Sequence, residues 1–127
     1  MNPLAGLSIL VLEDEFLIAA DVEQLCLEHG AEQVTVSHSV EALGPTPITS
    51  IGFDAAVLDM RLNGVETLEF GASLLAAGKP FVFATGYADK AGLSAAFPDI
   101  EIVPKPYSGN SLIGAIRGAV DRRRDGG

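Results

Sequence analysis

Five short strand-like runs, Ile9 to Leu12, Gln33 to Ser37, Ala55 to Leu58, Phe81 to Ala84 and Ile100 to Val103, recur along the chain, and the stretches between them change period. Residues 15–29 set Ile18, Val22, Leu25 and Cys26 on one face and Asp21, Gln24 and Glu28 on the other before Gly30, which is a helical stripe. Leu68, Ala72, Leu75 and Ala76 repeat it before Gly78, and Leu112, Ile113, Ile116, Ala119 and Val120 repeat it over 110–121. Segments 39–49 and 88–96 complete the alternation as shorter helices. Gly44, Pro45 and Pro47 limit the first, and Gly92 and Pro98 limit the second. The resulting pattern βαβαβαβαβα calls for a parallel sheet with helices packed on its faces.

Strands covered on both faces read as continuous apolar runs, whereas edge strands can alternate. The first, third and fourth runs are continuous. The second (Gln33-Val34-Thr35-Val36-Ser37) and fifth (Ile100-Glu101-Ile102-Val103) alternate, which puts them at the edges. The expected fold is therefore a flavodoxin-like doubly wound five-stranded parallel sheet, strand order 2-1-3-4-5, with five helices. In such a sheet ligands bind outside the carboxyl ends of the strands, beside the switch point between strands one and three. A chain of 127 residues makes one such domain over 1–127, with its core over about 7–121 and a short polar tail after it.

Composition narrows the function. With a net charge of −9 and only 8 Lys and Arg, the chain lacks the clustered cations that a nucleic-acid surface needs. Its one basic run, Arg122-Arg123-Arg124, complements the negative end of the terminal helix. No apolar stretch approaches 18 residues and no basic start precedes one, so neither secretion nor membrane insertion is expected, and the cytoplasm is the expected location. Cys26 stands alone within the first helical stripe and reads as a small buried hydrophobe. His29 and His38 are far apart, have no ligand-spaced partner and read as surface residues rather than a zinc site.

The polar groups gather where the strands end. Strand one gives way to Glu13-Asp14-Glu15, strand three to Asp59 in the stretch VLDMRLNG, strand four to Thr85-Gly86, and strand five to Pro104-Lys105-Pro106. Singly, each is accounted for as a turn cap, a strand-end threonine or a surface lysine. Together they make one chemistry. Carboxylates brought within a few ångström repel strongly unless a cation neutralises them, and an all-oxygen set with open positions suits Mg²⁺, which keeps several waters and accepts a phosphate oxygen. Lys105 adds a point positive charge and Thr85 a hydroxyl donor for a phosphoryl oxygen that the metal does not hold, leaving Asp59 as nucleophile.

The motifs ILVLEDE, VLDMRLNG, PFVFATGY and PKPY occur in an order and near a spacing that resemble the receiver domains of two-component response regulators, over essentially the whole chain. The resemblance implies that Asp59 accepts a phosphoryl group from a histidine kinase or a histidine phosphotransfer protein. It implies that Mg²⁺ (or Mn²⁺) is held by Asp14 directly, by Glu13 mainly through water, by Asp59, and by the backbone carbonyl of Arg61. Lys105 would pair with the phosphoryl group and Thr85 would move toward it, drawing the loop of Gly86 and Tyr87 with it. Lys105 would be aimed by a cis bond to Pro106, and the surface including Tyr107 would meet a downstream protein. Such a chain is a signalling protein rather than an enzyme.

Three departures accompany the resemblance. Ile102 stands where most receivers carry a strand-five aromatic switch. The interval from Thr85 to Lys105 is about two residues short. The Phe83-Ala84-Thr85-Gly86 stretch with Tyr87 resembles a stand-alone alphaproteobacterial subgroup associated with kinases of the HWE type, in which the usual aromatic switch is often missing; Tyr87 either takes part of its role or is an exposed aromatic on a partner surface. Arg61 and Tyr87, two residues beyond Asp59 and Thr85, would overhang the phosphoryl site. The alternative is a pseudo-receiver, a binding module that is never phosphorylated. An aspartate-based phosphohydrolase would need a second acid where Arg61 stands, and a flavin site would need a Ser/Thr-rich loop after strand one.

Overall fold

The computed structural model describes residues 2–39, 41, 52–62, 65–85, 90–104 and 109–126. In chain order its elements are β1 (Ser8–Leu12), α1 (Phe16–Glu28), β2 (Gln33–Ser37), β3 (Ala55–Asp59), β4 (Arg61–Leu62), β5 (Val65–Glu66), α2 (Leu68–Ala76), β6 (Phe81–Thr85), α3 (Lys90–Ala96), β7 (Ile102–Pro104) and α4 (Gly109–Gly126). Five strands form one parallel sheet in the order β2-β1-β3-β6-β7, which is the expected 2-1-3-4-5 arrangement with the two alternating strands at its edges.

The sheet divides the core by pleat. Ile9, Val11, Val57 and Val82 face α1 and α4, where Val22, Cys26, Leu112 and Ile116 cover them. Leu10, Leu12, Leu58 and Phe83 face the other way, against Leu74 of α2 and Leu93 of α3. Every residue of β3 and β6 is buried, which is why those runs carry no polar residue until their last positions, Asp59 and Thr85.

Several local features differ from the sequence-based expectation. Arg61–Leu62 and Val65–Glu66 form a small antiparallel pair directly after β3. The last strand begins at Ile102 rather than Ile100, because the Ile100 N–H is drawn back into the turn after α3, donating to Phe97 O at 3.2 Å. The terminal helix continues through Gly126, so the arginine run lies within its final turns and not beyond a helix ending at 121. Ahead of β1, Leu4 is fully buried, its N–H donates to His29 O at 2.9 Å, and Pro3 O accepts from Arg117 of α4 at 3.2 Å. Four helices lie among the described residues; the one expected over 39–49 falls almost wholly outside them.

Gly71 of α2 lets that helix approach the sheet closely. A Cβ there would stand 2.7 Å from Phe83 Cζ, and that ring cannot swing away because it is fully buried and packs edge-on against Phe81 and Phe97. Gly71→Val is therefore expected to lower stability by about 2–3 kcal/mol. Gly114 in α4 is exposed with open space around it, so Gly114→Ala is expected to raise stability by roughly 0.5–1 kcal/mol. Urea denaturation midpoints of the two variants check both signs.

Candidate functional site

Parallel register builds the site. Leu12 of β1 lies opposite Leu58 of β3, so the residues that follow them, Glu13 and Asp59, emerge side by side at the carboxyl edge of the sheet. Glu13, Asp14 and Asp59 each offer a carboxylate oxygen, and these oxygens all lie within 4.8 Å of one another. Glu13 and Asp59 are buried and Asp14 is half-buried. At an effective dielectric constant of about 20, unit like charges this close repel by roughly 4 kcal/mol a pair. The donor set contains no sulfur or imidazole, so its chemistry fits a hard divalent cation, Mg²⁺ or Mn²⁺.

Backbone and side-chain hydrogen bonds hold the cluster in place. The Glu13 N–H donates to Ser37 O at 3.1 Å, extending the β1–β2 ladder by one bond, and Glu13 Oε2 accepts from the Glu15 N–H at 3.1 Å. Asp59 Oδ1 accepts from the Arg61 N–H at 3.2 Å, and the Met60 N–H donates to Ala84 O at 2.9 Å. Arg61 itself is exposed on β4. Thr85, the last residue of β6, is buried, and its hydroxyl donates to the thioether of Met60, Sδ at 3.5 Å. A thioether is a weak acceptor, so this contact holds the hydroxyl only loosely.

Of the other residues singled out in the sequence, Ile102 opens β7 opposite Phe83 and packs half-buried on the α2–α3 side of the core. Gly86, Tyr87, Lys105, Pro106 and Tyr107 lie outside the described residues. Cys26 is fully buried, and burial pushes its thiol up to about 12, which leaves it the inert core residue expected. The two histidines are not simple surface residues. Both are half-buried with Nδ1 2.9 Å from a backbone carbonyl, His29 on Leu25 O and His38 on Glu13 O.

Thr67 was not foreseen. It stands at the N-cap position of α2, where a threonine ordinarily caps its own helix, but makes no such bond. Its buried hydroxyl instead lies 2.7 Å from Asp59 O and 3.1 Å from Met60 O, while its N–H donates to Met60 O at 2.8 Å. The only trace in the sequence is a cap-type residue directly before the stripe that opens at Leu68. Thr67→Val keeps the shape and removes the hydroxyl, and is expected to cost about 1–2 kcal/mol of unfolding free energy, measurable by urea denaturation.

No family model and no curated protein matches the sequence. Solved structures do. A response regulator receiver protein from Sinorhizobium medicae superposes with a TM-score of 0.80 at 23% identity, over 93% of this chain and 97% of that one. The N-terminal signal receiver domain of a two-component response regulator from Bacteroides fragilis gives 0.76 at 22% identity, over 91% and 97%. The signal receiver domain of a modulated diguanylate cyclase from Desulfovibrio desulfuricans gives 0.79 at 23% identity, over 96% and 99%. No helix among the described residues is long and apolar enough to cross a membrane. With the sheet order, the helix placement and these superpositions in agreement, the chain has the fold of response regulator receiver domains.

Proposed function

We propose that the chain is a response regulator receiver that accepts a phosphoryl group on Asp59 and passes or reports it through a change in partner binding. The observation that carries this reading is the trio Glu13, Asp14 and Asp59, two of them buried and one half-buried, gathered where the apolar runs of two strands end. So costly an arrangement is hard to account for in a purely structural role. Glu13, Asp14, Asp59 and the backbone carbonyl of Arg61 would hold Mg²⁺ or Mn²⁺, which when bound neutralises the carboxylates and the phosphoryl oxygens.

The transfer itself belongs to Asp59. One carboxylate oxygen attacks the phosphorus of a phosphohistidine on a sensor kinase, of the HWE type by resemblance, or on a phosphotransfer protein. The new O–P bond gives an acyl phosphate, the P–N bond breaks, and its electron pair returns to the imidazole of the donor. Lys105 would meet the charge left on the phosphoryl oxygens as a point cation.

Thr85 supports a switch. Its hydroxyl rests on a weak sulfur acceptor, so a phosphoryl oxygen within reach is the better partner, and exchange of one for the other draws the end of β6 toward Asp59. Phosphorylation adds roughly −1.5 to −2 charge and strong acceptors, which selects the closed arrangement. The segment after Thr85, with Gly86 and Tyr87, is then the bistable element. Its coupling to a downstream protein is worth about 1–3 kcal/mol, and the surface of Ile102, Pro106 and Tyr107 is the proposed point of contact. The role is cytoplasmic signalling in a phosphorelay.

Amide NMR shifts of the Mg²⁺-loaded protein, taken before and after beryllofluoride, test the reading. Large shifts spreading from Asp59 through Thr85 into 86–107, absent in Asp59→Ala, are expected; no response at saturating Mg²⁺ would point instead to a pseudo-receiver that binds partners constitutively. Arg61→Ala and Tyr87→Ala are expected to lose phosphate faster than the natural chain, since side chains two residues beyond Asp59 and Thr85 in the sequence would hinder in-line water attack. Unchanged or slower loss in both variants would defeat that part of the reading.

A further inference from the structure

His38 lies one residue beyond β2, and its Nδ1 stands 2.9 Å from the carbonyl oxygen of Glu13. A carbonyl only accepts, so Nδ1 carries the hydrogen and donates it. The Glu13 N–H donates in turn to Ser37 O. Both backbone polar groups of Glu13 are therefore tied to consecutive residues of the neighbouring segment, Ser37 and His38. The carbonyl that His38 holds belongs to the peptide unit joining Glu13 to Asp14. Fixing that plane restricts ψ of Glu13 and φ of Asp14, the two dihedrals that set how the carboxylates are aimed relative to each other.

The imidazole is itself held. Phe16, the first residue of α1, lays its ring against it with centroids 4.1 Å apart and planes at 56°. Phe16 is 72% exposed, so its ring is not a core residue, and His38 is the aromatic it packs on. Residues 13–15 lie between β1 and α1 and belong to neither.

We infer that His38 is a positioning residue for the acidic cluster, orienting the Glu13–Asp14 peptide so that both side chains converge with Asp59 on one cation. The inference rests on the metal-binding reading above. It is tested by titrating the full chain with Mn²⁺ alone, following binding by calorimetry, for the natural protein, His38→Phe and His38→Asn. Phenylalanine keeps a ring against Phe16 but has no donor, whereas the asparagine side-chain amide offers an N–H close to where Nδ1 stood.

His38→Phe is expected to bind Mn²⁺ about tenfold more weakly, and His38→Asn to recover most of that loss. Equal affinity of His38→Phe and the natural chain, or equal weakening in both variants, overturns the inference while leaving the metal site intact. Failure of the natural chain to bind Mn²⁺ sinks the metal reading and this inference with it. Should His38→Phe not fold, the same comparison is made between His38→Leu and His38→Asn, with the same two outcomes.

Discussion

Parallel pairing of β1 with β3 is the constraint on which the rest of the molecule turns. The register that sets Leu12 opposite Leu58 leaves the following residues no choice but to emerge together, and those residues are acids. The hydrophobic burial of two strands drives the pairing, and the like-charge repulsion of the cluster is carried by it. The core thus holds together three groups that would separate if they were free.

The surrounding contacts make sense as means of holding that cluster still. Ser37 and His38 fix the chain entering it from β1, and Thr67 reaches back from the start of α2 to fix the chain leaving β3. Each of these uses a polar group on the backbone of an acidic residue and not its carboxylate. Thr85 is different in kind, because a hydroxyl resting on sulfur is held loosely enough to be drawn elsewhere. The acidic cluster is thus held by bonds to its backbone, while the Thr85 hydroxyl at the end of β6 rests on a weak acceptor.

How much of this could be read from the residues follows from how each is constrained. Continuous apolar runs for β1, β3 and β6 and alternating ones for β2 and β7 reflect burial on two faces or one, so the strand order was legible. Glu13, Asp14 and Asp59 stood out because an apolar run that stops at a carboxylate is itself a signal. The β4–β5 pair was not legible, since strands of two residues carry no period. Leu4 docks through a single buried side chain, again without periodicity. Thr67 was hidden because its residue type suits a cap that it does not make, and His38 because nothing in the sequence says that a histidine after an edge strand will reach the carbonyl of Glu13.

The same topology bears on the order of folding. Ser8 and Asp54, bonded at 2.8 Å between the first and third strands, are 46 residues apart, and Glu13 and Asp59 are equally distant. Every pairing in the main sheet is parallel and bridges an intervening segment, so the entropy of closing those loops is spent before the contacts reward it, a circumstance that slows folding. The acidic cluster where β1 and β3 end exists in no fragment shorter than the span from Glu13 to Asp59. It comes into being with the closure of that long loop and the pairing of β1 with β3, not with the formation of any one helix.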